Sequence, residues 1–304
     1  MKKISGLGII FVLATSFLYA QRLNVATYNL RYANHGDSLN GNGWGARCPV
    51  IASLIRFHDF DIFGTQEGLF HQLEDLKGNL PGYAYTGIGR DDGKNGGEHS
   101  AIFYKVSKFS LLKKGDFWLS TVTDRPNKGW DAVLPRICSW GQFRENKTGF
   151  TFFFFNLHMD HIGVVARAES AKLVLEKIRE LAGTAPVILT GDFNVDQTSE
   201  PYRLLNSSDL LRDSYDLSAF RYALNGTFNN FKTDGKTDSR IDHIFLSKPF
   251  KVRRYGILTD SYRSPAVDTA TATSANFPKE VSLSAYTARE PSDHFPVMVE
   301  IEVK

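Results

Sequence analysis

The chain has 304 residues, with 36 Lys plus Arg against 33 Asp plus Glu and a formal net charge of +3. That length suits one large α/β or two-sheet domain. The near-balanced charge leaves no overall footprint for nucleic acid or an anionic membrane, although a local basic patch would escape this test.

Residues 1–20 read as a signal peptide. "MKK" is a basic start, "ISGLGIIFVLATSF" an apolar stretch, and "LYA" a small-residue cleavage site before Gln21. The apolar stretch is short of the roughly 20 residues that span a bilayer. The expected product is one exported domain, 21–304, periplasmic or extracellular, monomeric and without stable membrane insertion. An uncleaved N-terminal anchor is the alternative. Loss of Lys2 and Lys3 lowers the net charge from +3 by two, to +1. The nearest basic cluster, Lys251, Arg253 and Arg254, reads as a solvated strand face. Cys48 and Cys138 read as free thiols, since a core of this size needs no bridge.

Strand-like runs bounded by Gly, Pro, Asn and Asp fall at 22–30, 60–66, 100–105, 109–119, 136–144, 150–157, 186–190, 240–247, 251–258 and 295–303. "FTFFFFNL" is apolar throughout, as a strand buried on both faces should be. A helix is expected over "ARCPVIASLIRFH", with Pro49 near its first turn. A longer one is expected over "VVARAESAKLVLEKIREL", burying Val164, Ala168, Ala171, Val174 or Leu175, and Ile178. A faint repeat joins the halves. "LNVATYNLR", a helix and "FDIFGTQE" are echoed by "FTFFFFNLH", a helix and "PVILTGDFN". Each half is strand, helix, strand, with polar residues at both strand ends.

Asp-His occurs three times, as Asp160-His161, Asp242-His243 and Asp293-His294, each time beside an apolar strand-like run. Acids and imidazoles at strand ends are where open α/β sheets place their sites. The polar residues so collected are Asn29, Glu67, Glu98, His158, Asp192, Asn194, Asp242, Asp293 and His294. Carboxylates and amides are hard oxygen ligands, suited to Mg²⁺ or Mn²⁺. No zinc-type His/Cys cluster, Gly-x-Ser-x-Gly elbow or P-loop is present in the sequence. The chemistry best matched is phosphoester hydrolysis, which needs an ion, a group to position water, and cations or imidazoles on the phosphoryl oxygens.

"YNLR", "TQE", "NLHMDH", "GDFN", "RIDHIF" and "SDHFPV", in that order, resemble the endonuclease/exonuclease/phosphatase superfamily. The resemblance runs from about Leu23 to Val303. "GWDAVLPRICSW" and "GGEHSAIFYK" are similar to its exported bacterial, Ccr4-like side. The resemblance implies a four-layer α/β sandwich, with two mixed β-sheets packed face to face and helices outside, as in DNase I-like folds. It implies Glu67 as principal metal ligand, Asn29 beside it, and Asp293 completing the shell. It implies Asp192 as the group that orients or deprotonates the attacking water, with Asn194 holding the phosphate or that water. His294 would face the phosphoryl oxygens, held by Asp242; His158 would be the second imidazole, near the leaving group, with Glu98 as its carboxylate partner. Asp160 and His161 are expected behind or at the rim of the site, and His243 to support only the strand end. Tyr104 and Arg136 are candidate phosphate contacts or packing residues.

The fold does not choose the substrate. Export fits a scavenged phosphodiester or phosphomonoester: nucleic acid, or a phosphorylated sugar or glycan. The opposing function class is a catalytically silent phosphate- or glycan-binding module, which has no need for Asp192. The loops "NHGDSLNGNGWG" and "GRDDGKNGGE" are expected to flank the site, and the long polar insertion 260–293 to cap it.

Overall fold

The structure, a computed structural model, describes residues 22–265, 271–272, 278 and 280–303. The expected signal peptide lies outside them, as does the middle of the expected cap, residues 266–270, 273–277 and 279. In chain order the elements are β1 (Arg22–Asn29), α1 (His35–Leu39), α2 (Trp44–Phe57), β2 (Ile62–Gln66), α3 (Phe70–Asn79), β3 (Tyr83–Thr86), β4 (Ile102–Lys105), β5 (Phe109–Trp118), β6 (Ile137–Glu145), β7 (Thr151–His158), α4 (Val164–Ala182) and β8 (Val187–Asp192). There follow α5 (Glu200–Asn206), β9 (Arg212–Asp213), α6 (Ser214–Leu217), β10 (Arg221–Tyr222), β11 (Asp242–Leu246), β12 (Phe250–Ile257), β13 (Tyr262–Pro265), β14 (Thr271–Ala272), β15 (Leu283–Ser284), β16 (Tyr286–Arg289) and β17 (Val297–Val303).

Two mixed sheets form, ordered β10-β12-β17-β1-β2-β4-β3 and β5-β6-β7-β8-β11-β9. In the first, β1 runs parallel to β2; in the second, β7 runs parallel to β8. Each parallel pair is joined through a helix, α2 or α4, so the strand–helix–strand repeat is a real pair of βαβ units. The last strand closes on the first, with Leu23 opposite Ile301.

Three apolar clusters make the four layers. Leu23, Val25 and Ile62 of the first sheet meet Phe152, Phe154 and Ile188 of the second. Ile51, Ile55 and Leu73 of α2 and α3 cover Phe63 and Phe103 on the outside of the first sheet. Val174 and Ile178 of α4 cover Phe153, Phe155 and Leu189 on the outside of the second. Successive phenylalanines of β7 alternate between the inner and outer cores, so the unbroken apolar run is a period-2 strand with no wet face. Cys48 and Cys138 are buried, unbridged and on the outer sides of opposite sheets.

Two helix readings need correction. Val164 is 67% exposed, because it lies at the start of α4 before the helix reaches the sheet; the buried face runs through Ala166, Ser170, Ala171, Val174, Leu175, Ile178 and Ala182. Helix α2 begins at Trp44, so Pro49 falls inside the helix beyond its first turn. Trp44 is buried and its indole N–H bonds Asp75 (2.9 Å), which anchors the extra residues.

A polar tie crosses the apolar interface. Asn156 of β7 donates through Nδ2 to the carbonyls of Thr65 (2.8 Å) and Ala101 (3.0 Å). Its Oδ1 accepts from Gln66 Nε2 (2.7 Å) and Thr190 Oγ1 (3.0 Å). Gly64 makes room for it: a Cβ there would lie 2.1 Å from Asn156 Oδ1. Asn156→Ala removes four buried hydrogen bonds, although Gln66 Nε2 keeps Thr27 Oγ1 (3.0 Å), Thr190 Oγ1 keeps the Phe155 carbonyl (3.3 Å) and the Ala101 carbonyl keeps the Thr65 N–H (2.8 Å); at about 0.5–1.5 kcal/mol net per bond, the variant is expected to lose about 2 kcal/mol or more. Urea unfolding of both proteins measures it, and a loss below about 1 kcal/mol would show that the tie is dispensable.

Candidate active site

Because β1 and β2 run parallel, as do β7 and β8, their carboxyl ends share one rim. Asn29 ends β1, Glu67 follows β2, His158 ends β7 and Asp192 ends β8. Asp242 opens β11 directly opposite Asp192, while Asp293 and His294 precede β17. The rim surrounds a cleft of about 450 Å³ lined by Glu67, Glu98, His158, Asp192, Asn194, Asp293 and His294 among others. Arg31, Glu67 and Asn194 all have left-handed backbones (φ 55°, 63° and 51°), costly conformations for non-glycine residues that cluster at sites.

Asp192 is the centre. Asn29 Nδ2 donates to its Oδ2 (2.9 Å), and the backbone N–H of Asn194 to its Oδ1 (2.9 Å). His158 Nε2 stands 3.5 Å and His294 Nε2 3.8 Å from Oδ2. Burial, then the Asp242 charge, pushes the Asp192 carboxyl up to about 7, against the opposing pull of His294 and the bonds from Asn194 and Asn29. Asn29 also donates to Glu67 Oε1 (3.1 Å), and Tyr32 N–H to Glu67 Oε2 (3.1 Å).

The two imidazoles are driven apart. Burial alone would lower His294; the charges of Asp242 and Asp192 and the Nδ1–Asp242 Oδ2 bond (2.9 Å) outweigh it and raise its pKa well above the ordinary value. His158 is lowered by burial and then by the Arg136 and Arg90 charges. Its Nε2 accepts from Asn194 Nδ2 (3.1 Å), which leaves the ring proton on Nδ1. Glu98 Oε2 is 3.6 Å from that Nδ1, too far for a hydrogen bond; Arg90 holds the carboxylate with one bond to each oxygen (2.6 and 2.8 Å), which leaves a lone pair free on each.

The acids fit a divalent ion. Burial raises Asp293, and Glu67's charge adds to this while His294 and Arg31 oppose it. Arg31 Nη1 stands 3.6 Å from Asp293 as a partial counter-charge. Two carboxylates crowded at the mouth of a cleft are a donor set for a hard cation. The tightest His/acid groupings, Glu67–His158–Asp192 and Asp192–Asp242–His294, have ligand atoms within 4.8 Å of one another but include imidazoles, which suit Mg²⁺ poorly. Asn29, nominated as a ligand, turns its Nδ2 toward both acids and its Oδ1 toward the Arg31 N–H (2.9 Å), so here it holds the acids in place.

Other motif residues divide by strand alternation. His243 points away from the cleft, fully buried, with Nε2 on the Val195 carbonyl (3.1 Å) and Nδ1 3.6 Å from Asp213. Tyr104 packs on Phe143 near the inter-sheet core and does not line the cleft. Arg136 does line it, clamped by Asp160. Sequence reasoning missed Tyr32, Phe228 and Asn230 on the cleft wall. Phe228 pairs with His294 as an isolated bridge and packs its ring edge-on against the imidazole (5.1 Å). The one signal for that loop was "NGTFNNF", a turn-rich stretch carrying two aromatics. Of the two flanking loops, "GRDDGKNGGE" supplies Glu98, whereas residues 34–45 do not line the cleft. Arg289, at the end of the insertion, bonds the Asn40 carbonyl (3.0 Å) and Asn42 Oδ1 (3.0 Å). No described residue of 260–290 lines the cleft.

A two-sheet α/β sandwich with acids, amides and two opposed imidazoles on one rim defines a phosphoester hydrolase that acts on its substrate through water. The family follows from the sequence: the chain belongs to the endonuclease/exonuclease/phosphatase family, whose model matches residues 26–294. It is similar to the mannosyl-6-phosphatase of Bacteroides thetaiotaomicron, with 60% identity, 92% of this chain and 99% of that chain covered, and a TM-score of 0.85. A second family protein of that organism is 58% identical, with 94% and 99% covered and a TM-score of 0.87. Nocturnin of Xenopus laevis is 25% identical over 226 residues, 67% of this chain and 55% of that protein. Among the described residues no helix is long and apolar enough to cross a membrane.

Asp242→Asn removes the main support of the His294 charge. The folded-state pKa of His294 is raised, so its cation persists to high pH; without the Asp242 charge, deprotonation moves to lower pH. Side-chain NMR titration is expected to show His294 losing its proton at least about one unit lower in the variant. An unchanged midpoint would mean Asp242 does not set its charge.

Proposed function

We propose that the protein is an exported, divalent-metal-dependent phosphomonoesterase that removes phosphate from hexose 6-phosphates or from glycans carrying them. The observation that carries the chemistry is the convergence of Glu67, Asp293, Asp192, Asn194 and both imidazoles on one cleft. The choice of substrate rests on the 60% identity to a mannosyl-6-phosphatase across nearly the whole of both chains. Nucleic acid, the competing substrate, has less support. The cleft volume is that of a small-molecule site, and the near-balanced overall charge supplies no general attraction for a polyanion. The leader at residues 1–20 supports export.

Glu67 and Asp293 would hold Mg²⁺ or Mn²⁺, with Asn29 fixing Glu67. The ion supplies charge neutralisation at the phosphate. Asp192, its carboxyl raised to about 7, accepts the proton of the attacking water. Cationic His294 donates from Nε2 to a phosphoryl oxygen while Nδ1–H stays on Asp242. Neutral His158 and the Met159 carbonyl (2.9 Å) take both protons of Asn194 Nδ2, which fixes the amide and leaves its Oδ1 to accept from the attacking water.

Asp192→Asn keeps the shape and loses the base. It is expected to lower kcat on mannose 6-phosphate by roughly 10²–10⁴-fold while substrate still binds. EDTA is expected to abolish turnover and added Mg²⁺ to restore it. Equal turnover by the two proteins would move the reading to a binding module, and EDTA-resistant activity would remove the metal from it.

A further inference from the structure

One flank of the cleft has no part in that chemistry. Arg136, just before β6, is only 4% exposed yet lines the cleft. Its Nε donates to Asp160 Oδ2 (3.3 Å) and its Nη2 to His161 Nδ1 (2.9 Å). Asp160 is itself pinned by the N–H groups of Ile162 (3.0 Å) and Gly163 (2.8 Å). The third nitrogen, Nη1, is buried and has no hydrogen-bond partner among the described residues. Leaving a charged donor so placed is costly unless a ligand supplies the acceptor. Because His161 accepts at Nδ1, its proton sits on Nε2, a second donor on the same flank. Glu98 supplies an acceptor there, and it, Arg136 and His161 all line the main cleft.

The mixed signs select the ligand. A phosphate dianion placed on this flank would meet the Glu98 carboxylate. The phosphate also has its own partner in cationic His294 across the cleft. A neutral polyol suits both ends, taking a hydrogen bond from Arg136 and giving one to Glu98, as adjacent sugar hydroxyls do.

We propose that Arg136, His161 and Glu98 form the leaving-group subsite, which grips neighbouring hydroxyls of the hexose whose phosphate is cleaved. This rests on the sugar-phosphatase reading. Arg136 is a specificity residue, oriented for that task by Asp160.

The test compares kcat/KM of the purified protein and its Arg136→Gln and Arg136→Lys variants on mannose 6-phosphate and on p-nitrophenyl phosphate, which has no hydroxyls to grip. For Arg136→Gln the loss on mannose 6-phosphate is expected to be roughly 10- to 100-fold, mainly in KM, and at least about tenfold larger than on p-nitrophenyl phosphate. Arg136→Lys keeps a cation on Asp160 and lacks the third nitrogen, so it is expected to show the same selectivity if the glutamine variant does not fold. Equal losses on both substrates, or none on either, would overturn the subsite while leaving the sugar-phosphatase reading intact. A wild-type protein inactive on mannose 6-phosphate would overturn that reading and the subsite together.

Discussion

The site is assembled across the seam between two sheets, and the register of that seam is fixed by buried amides. Asn156 ties β7 to the carbonyls of Thr65 and Ala101 on the opposite sheet, with Gln66 and Thr190 completing its bonds. At the rim, Asn29 of the first sheet bonds Asp192 of the second (2.9 Å). Apolar packing alone is non-directional and tolerates small slips. Directional bonds between the sheets set where Glu67 stands relative to Asp192, and a shift of about 1 Å there is enough to spoil a catalytic constellation.

On that frame, burial sorts the titratable groups by their neighbours. His294 and His158 are both buried, yet one is raised and the other lowered. The difference is the company each keeps: Asp242 bonds His294 directly, whereas His158 faces Arg136 and Arg90, with Glu98 already bound by Arg90. Asp192 sits between them with its carboxyl near 7, raised by burial and by Asp242. Groups of opposite tendency within 4 Å of one carboxylate suit proton acceptance and anion stabilisation in the same small volume.

Much of this was legible in the sequence. The ten long strands announce themselves by apolar runs between turn residues, and α2 and α4 by periodicity. The strands that were missed are short: β9 and β10 have two residues, and β3, β13 and β16 have four, too few to show an alternating apolar pattern. Helix α3 was missed because its buried side amounts to Gln72, Leu73 and Leu76, too few apolar positions to make a stripe. All nine nominated site residues come to one rim: Asn29, Glu67, His158, Asp192 and Asn194 at the carboxyl ends of the parallel strands, Asp242, Asp293 and His294 at the starts of the antiparallel β11 and β17, and Glu98 from the loop before β4. What the sequence does not carry is partner choice. Nothing local says that Arg90 takes Glu98, that Asn29 turns its amino group to the acids, or that Phe228 leans on His294. Those are contacts between segments far apart in the chain or set by loop conformation, and they depend on packing rather than on pattern.

The most direct test of the account is the preference between a sugar monoester and a diester. Purified protein with Mg²⁺ would be given mannose 6-phosphate and, separately, bis-p-nitrophenyl phosphate, and kcat/KM measured for each. The account predicts that the hexose monoester is favoured by at least about 100-fold, a margin expected when a site grips both phosphate and sugar. A preference for the diester would contradict it and return the protein to the nuclease side of its family.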